Sequence, residues 1–206
     1  MSEKAFMLAD ALFRSGALKF GRFKLKSGVV SPYYIDLSWL LSSPGSFRGV
    51  VNIIADEIEG LKREMRVDKL ATIELKGALL LPAVACRLRM PCIIVRKEPK
   101  AYGVRGRISG GSVEPGDRFV FFDDVITSGE SKIEGMRPIE EAGGEIVAVM
   151  VVVDREQGGR EEIESRGYRF LSIVTISEVI RSLLESGRIS RDKADEIFRY
   201  IEESPL

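Results

Sequence analysis

The chain contains no histidine. That absence removes Ser–His and Cys–His nucleophile pairs, imidazole general bases and the usual zinc sites together. Chemistry is left to carboxylates, lysines, arginines, hydroxyls or a metal carried in by a substrate. Cysteine is scarce: Cys86 and Cys92, in apolar surroundings and without metal-ligand spacing, read as buried free thiols of a reducing compartment, not a disulfide framework. Net charge is missing as well. The 31 basic and 31 acidic residues cancel, so no global field draws the chain to nucleic acid or to a membrane, and any charge-based function must be local. No apolar run approaches the ~20 residues that span a bilayer. The segment MSEKAFMLADALF has acids on both sides of its apolar residues, so it is not expected to be a signal peptide or an anchor, and the expected location is the cytoplasm. Asparagine and glutamine are reduced to Asn52 and Gln157 while charged residues reach 30%, a bias resembling that of thermophile proteins.

The 206 residues suffice for one domain with a substantial core. Ala5, Leu8, Ala9, Leu12 and Phe13 form the stripe of an amphipathic helix over residues 3–15, closed by Gly16. Short extended pieces follow as far as Trp39. Val50, Val51, Ile54, Ile58, Leu61 and Met65 then repeat at helical spacing in a long helix starting near Phe47, with Ser46 as its cap. From residue 70 strands and helices alternate: strands over 70–74, 92–96, 119–123, 145–154 and 170–175, and helices over 78–88, 130–142 and 160–166. Continuous apolar strands separated by helices predict an α/β fold, a parallel sheet covered on both faces. Helical stretches over 178–185 and 191–203 finish the chain and cap the sheet together with the N-terminal segment.

Three stretches carry candidate chemistry. In VFFDDVITSGES, Asp123 and Asp124 stand at the carboxyl end of a strand, where ligands of open parallel sheets bind. Residues 127–131 then turn into a helix, whose first amides and glycine suit a phosphate. Acids beside a phosphate would repel it, so they should face vicinal sugar hydroxyls or a ligand-bound Mg²⁺; the bland reading is a polar turn with helix-capping acids. Residues 96–107 hold five basic residues against one acid, in a glycine-containing connection long for such a fold. They read as a cationic lid over a polyphosphate or, more blandly, as a solvated charge run. FKLKSGVVSPYYID has an edge hairpin as its simplest reading. Neither a Walker A pattern nor G-x-G-x-x-G is present.

LKSG with SPYYID, RKEPKAYG, FFDDVITSG and VVVDREQG, in this order, resemble the orotate phosphoribosyltransferases of the type I phosphoribosyltransferase fold, over residues 20–179. FDDVITSG alone indicates the broad superfamily that binds phosphoribosyl pyrophosphate; the other segments narrow it to orotate. The resemblance implies a Rossmann-like core at 46–176, a small hood from residues 1–45 and C-terminal helices at 177–206, in one domain of 1–206. It also implies transfer of the phosphoribosyl group to orotate, giving orotidine 5′-monophosphate and pyrophosphate. Mg²⁺ rides on the substrate pyrophosphate without direct protein ligands. The implied contacts to phosphoribosyl pyrophosphate are Asp123 and Asp124 at the ribose hydroxyls, with Val125 and Ile126 beside them. Thr127, Ser128, Gly129, Glu130 and Ser131 fall at the 5′-phosphate, and Lys76 on the pyrophosphate loop. Arg96, Lys97, Lys100 and Tyr102 belong to the lid, which reaches into a neighbour's site in a homodimer. Lys26, Tyr33, Tyr34 and Thr127 are implied at the base. Arg155, at the end of the 145–154 strand, is placed to hold the orotate carboxylate, which purines lack; its bland alternative is an ion pair with Glu156 or Glu161.

With no histidine, the implied catalysis is charge stabilisation: Lys100, Asp123 and Asp124 are the candidate catalytic residues, and Lys100 is the one whose loss should cost most. The sequence departs from the family at Tyr102, where many members have histidine, so no proton-transfer role carries over. Pro138 is expected to kink or shorten its helix. A ligand-sensing transcriptional regulator of the same fold and a purine transferase are the competing readings. The first is disfavoured by the lack of a basic recognition helix, the second by Lys26 and Arg155. A fused decarboxylase barrel of about 250 residues has no room in this chain.

Overall fold

The computed structural model describes residues 2–24, 28–100 and 106–203, and of Lys100 the backbone alone. Helix α1 (Glu3–Arg14) starts where Ser2 accepts a hydrogen bond from the Ala5 amide at 3.1 Å. It stops before Gly16, whose φ of +73° only glycine adopts cheaply. Strands β1 (Leu18–Lys24) and β2 (Val30–Ile35) pair as an antiparallel hairpin, followed by a 3₁₀ turn (Leu37–Ser42). Helix α2 spans Pro44–Glu64. It begins earlier than the periodicity predicts and takes Ser43, not Ser46, at its N-cap, because Pro44 fits the first turn, where the missing N–H costs nothing.

The remaining elements are β3 (Lys69–Ile73), α3 (Lys76–Leu88), β4 (Cys92–Lys100), β5 (Gly106–Ser109), β6 (Arg118–Ile126), α4 (Glu130–Glu141), β7 (Glu145–Asp154), α5 (Gly159–Ser165), β8 (Phe170–Thr175), α6 (Ile176–Glu185) and α7 (Arg191–Glu203). They build a six-stranded sheet in the order β5-β4-β3-β6-β7-β8. All neighbours run parallel except β5, which is antiparallel to β4. Much of the stretch read from sequence as a long lid connection is therefore strand: β4 continues through Lys100 and returns as β5. Arg107 fastens this pair, donating to the Arg96 carbonyl at 2.8 Å and meeting Glu134 of α4 at 2.9 Å.

Apolar residues on both sides of each central strand explain the two layers. Phe119, Phe121, Val149 and Val151 pack under Met136 and Ile139 of α4 and Ile163 of α5. Val120, Phe122, Met150 and Val152 face the opposite layer of α1, α2, α3 and α6. Helix α1 contributes the fully buried Leu8 and Leu12 to that second cluster. Helix α4 runs past Pro138 to Glu141, so the proline does not shorten it. The cysteines also differ from expectation: Cys86 is exposed on α3 and Cys92 is half-buried, because their apolar neighbours, not the thiols, point inward.

Sheet order sets the place of function. The chain moves from β3 outward to β4, then crosses back to β6 and continues the other way to β7 and β8, so a topological switch point lies between the carboxyl ends of β3 and β6. If α1 is part of this core, Leu8→Ala should cost about 2–5 kcal/mol of unfolding free energy, the range for deleting a fully buried leucine. Denaturant titration should give that loss in one cooperative transition. A separate early transition would mean that α1 is an independent appendage.

Candidate active site

Asp123 and Asp124 sit at the end of β6, each only 5% exposed. Buried acids need partners, and Lys132 of α4 supplies one. Its ammonium lies 2.7 Å from Asp123 and donates to the Val125 carbonyl at 2.6 Å and to Ser131 Oγ at 3.4 Å. The other Asp123 oxygen accepts from the Asp124 amide at 2.9 Å. Among the described residues Asp124 has no such cation in contact. Burial and then the Asp123 charge push its carboxyl from 3.8 to about 7, against the pull of Lys132 and Lys76. Sequence reasoning missed Lys132; a lysine two residues inside the helix that follows an acid pair was the available signal.

After β6 the chain turns through exposed Thr127 and half-buried Ser128 to Gly129, whose φ of +85° opens α4. Glu130 and Ser131 fill the first turn of the helix, beside the turn's amides. Val125 is half-buried and Ile126 fully buried beside the turn. The Val125 carbonyl is taken by Lys132, and Ile126 is fully buried with its carbonyl accepting from the Arg155 amide at 3.1 Å. Gly159 packs so tightly on this turn that a Cβ there would collide with the Thr127 carbonyl and the Ile126 side chain.

Lys76 opens α3 at the end of β3, on the other side of the switch point. Gly77, next to it, lies where an added Cβ would fall 2.7 Å from Asp123 Oδ1, so this loop is seated directly on the acid pair. The Lys97 amide donates to Glu74 at 2.8 Å and joins the end of β4 to the same loop. Arg96 is half-buried with its Nε unpartnered, and Lys97 is exposed. Lys26, Tyr102 and the Lys100 side chain, expected at the base and on the lid, lie outside the described residues.

Arg155 follows β7. Asp154 shapes the turn by accepting from the Glu156 amide at 2.8 Å, with Glu156 at φ +57°. The guanidinium donates from Nε to the Tyr33 hydroxyl at 3.2 Å and lies 4.9 Å from that ring's centroid, while Nη2 is buried without an acceptor among the described residues. Among the described residues Arg155 forms no ion pair with Glu156 or Glu161; the Glu156 carboxylate accepts from the Ser177 amide instead. Tyr33, expected to face the base, is fully buried and serves as the support under Arg155. Tyr200 of α7 abuts Tyr33 edge-on at 5.9 Å. Burial raises the Tyr33 hydroxyl above its ordinary range and outweighs the Arg155 charge, so it remains protonated. Tyr34 is 37% exposed, with Lys76 5.9 Å over its ring and the Phe23 ring 5.6 Å away.

Among the described residues no group of three or more acidic or cysteine side chains could hold a metal alone. Two carboxylates at the strand end do suit a hard cation that takes its remaining oxygens from a phosphorylated substrate. Paired acids, an anion-binding helix start and a cation-bearing loop around one switch point define a phosphoribosyltransferase site, and the Phosphoribosyl transferase domain family matches residues 37–182. The chain is 35% identical over 187 residues to the orotate phosphoribosyltransferase of Pyrococcus horikoshii, covering 91% of this chain and 97% of that one. The crystal structure of orotate phosphoribosyltransferase from Aeropyrum pernix superposes with a TM-score of 0.75 at 28% identity, over 89% of this chain and 99% of that one. Leishmania donovani UMP synthase gives 0.85 at 30% identity, over 97% of this chain and 42% of that one. The chain belongs to the orotate phosphoribosyltransferase family.

The Asp124 environment has a pH signature. Between its ordinary and its folded value the native protein holds a proton that the unfolded chain has released, so this residue's contribution to stability falls as pH rises from about 4 to about 7 and is level beyond. Asp124→Asn cannot ionise and escapes that loss. The difference in Tm, Asn minus Asp, should widen between those pH values; calorimetry showing a constant difference would contradict it.

Proposed function

We propose that the protein transfers the 5-phosphoribosyl group of phosphoribosyl pyrophosphate to orotate, forming orotidine 5′-monophosphate and pyrophosphate, as a pentosyltransferase of pyrimidine biosynthesis. The observation that carries the choice of base is the Arg155 guanidinium one strand away from the acid pair: its Nε is held by the Tyr33 hydroxyl, and its buried Nη2 has no acceptor among the described residues. A carboxylate-bearing base gives the guanidinium an anionic, bidentate acceptor; adenine, hypoxanthine and uracil offer only neutral ones.

In the reaction the ring nitrogen of orotate bonds to the anomeric carbon and gives up its proton, which leaves with the pyrophosphate, as the bond from that carbon to the pyrophosphate oxygen breaks. The transition state has an oxocarbenium-like sugar and a leaving group of high negative charge. Asp123 and Asp124 accept hydrogen bonds from the ribose hydroxyls and orient the ring. The turn from Thr127 to Ser131 holds the 5′-phosphate through backbone amides and hydroxyls. Lys76, with Arg96, Lys97 and Lys100, neutralises the pyrophosphate, and lid closure excludes water. Magnesium on the phosphate oxygens, when bound, adds to that neutralisation. Tyr34 stacks on the base, with Thr127 and Lys26 at its edge, and Arg155 grips its carboxylate.

Loss of orotate absorbance in the presence of phosphoribosyl pyrophosphate and Mg²⁺ tests the assignment, with adenine, hypoxanthine and uracil as controls; turnover of a purine instead would overturn it. Arg155→Gln should raise the KM for orotate by about one to two orders of magnitude, the effect of losing a charge-assisted bidentate contact, and leave that for phosphoribosyl pyrophosphate nearly unchanged. Equal effects on both substrates would contradict the carboxylate role.

The lid is proposed to complete the site of a second subunit in a homodimer. Lys100→Ala and the Asp123→Asn, Asp124→Asn double variant should each be inactive alone. Refolded as an equal mixture they should recover about a quarter of the parent activity, since half the dimers then carry one intact site. Verified mixed dimers without recovery would place the lid in its own subunit.

A further inference from the structure

Lys76 is not free in the structure. Its Nζ lies 3.0 Å from Asp36 Oδ1, an acid between β2 and the 3₁₀ turn. The two partners are unequally held. Asp36 Oδ1 also accepts from the Ser38 amide at 3.1 Å and the Ser38 hydroxyl at 2.6 Å, and its side chain is 17% exposed. The Lys76 side chain is 42% exposed and bends over Tyr34 on a flexible four-carbon stem. The carboxylate is the fixed post and the lysine the movable partner. Burial works against both charges, yet the mutual contact and Ser38 win: the Asp36 carboxyl is held below its ordinary range and the Lys76 ammonium above its own.

We propose that Asp36 is a positioning residue that parks Lys76 in the ligand-free protein and yields it to the diphosphate of the incoming substrate. The inference rests on the assignment of Lys76 to pyrophosphate made above. A partly exposed ion pair contributes little, so exchange for a more highly charged acceptor costs little to begin. The parked lysine is kept beside both the acid pair and the Tyr34 face, with its charge satisfied until a polyphosphate arrives. Asp36 therefore competes with the ligand for Lys76, and removing its charge favours the ligand.

Titration calorimetry with inorganic pyrophosphate and Mg²⁺ on the full chain tests this with Asp36→Asn, Lys76→Met and the pair combined. Asn keeps the oxygen that caps the 3₁₀ turn; Asp36→Ser, uncharged and also a capping residue, is the second variant. Each uncharged replacement should tighten pyrophosphate binding about two- to fivefold, the equivalent of one exposed ion pair, and lower the KM for phosphoribosyl pyrophosphate but not for orotate. In the Lys76→Met background the same replacement should do nothing. Unchanged or weakened binding with Lys76 intact overturns the proposal. Equal tightening with Lys76 absent overturns it too, since bulk repulsion by Asp36 would then suffice. Unaltered pyrophosphate affinity in Lys76→Met alone would instead remove the underlying role of Lys76, and the parking with it.

Discussion

The site depends on one buried ion pair. Lys132 and Asp123 have side chains 7% and 8% exposed and meet at 2.7 Å. Burying such a pair repays its desolvation only when its remaining hydrogen-bonding capacity is met. Here the ammonium's three donors go to Asp123, Val125 and Ser131, and the second Asp123 oxygen takes the Asp124 amide. The pair also ties the last residues of β6 to the first turn of α4. Everything between those anchors is the turn proposed to bind phosphate, so one lysine fixes both the acid pair and the amides of that turn. Deleting it would strand a charge in the interior, a loss of about 3–5 kcal/mol for such pairs.

Around that pair the loops are close-packed by the absence of side chains. Gly77 sets the loop between β3 and α3 against Asp123, and Gly159 sets the start of α5 against Thr127. Neither site has room for a methyl group, so the ends of β3, β6 and β7 form a single block. Strand β4 is paired to β3 along Cys92–Val95 with Ile93 and Val95 buried, and the β4–β5 pair is tied further by Arg107 to Glu134 and Lys97 to Glu74.

Much of this was legible in the sequence because periodicity and strand-end chemistry are local. The alternating apolar runs gave the parallel sheet, and the acid pair, placed at a strand's carboxyl end, emerges at the switch point. What stayed hidden depends on pairing across distance. The strand continuation into β5 was masked by glycine and charge, which read as loop. Tyr33 looked like part of an aromatic face for the base, yet only the packing of β2 against Arg155 and Tyr200 reveals that its ring points inward. Lys132 was invisible because a lysine on a helix reads as solvent-facing unless its carboxylate is already in place. Cys86 misled for the same reason, since apolar neighbours in sequence do not bury a residue on the outer side of a helix.

Arg155 draws its backbone anchor from Ile126, but the side-chain support described for it comes from Tyr33, 122 residues away in the hairpin. The acid pair and the phosphate turn take no described support from that tyrosine. The side-chain support of the proposed carboxylate grip is therefore distinct from that of the acid pair and the turn after it. Redesign toward an uncharged heterocycle can replace the Arg155–Tyr33 unit together with its Tyr200 backing while the Lys132-centred block is inherited intact. A library confined to those three positions would explore new acceptors without spending variation on the shared donor half.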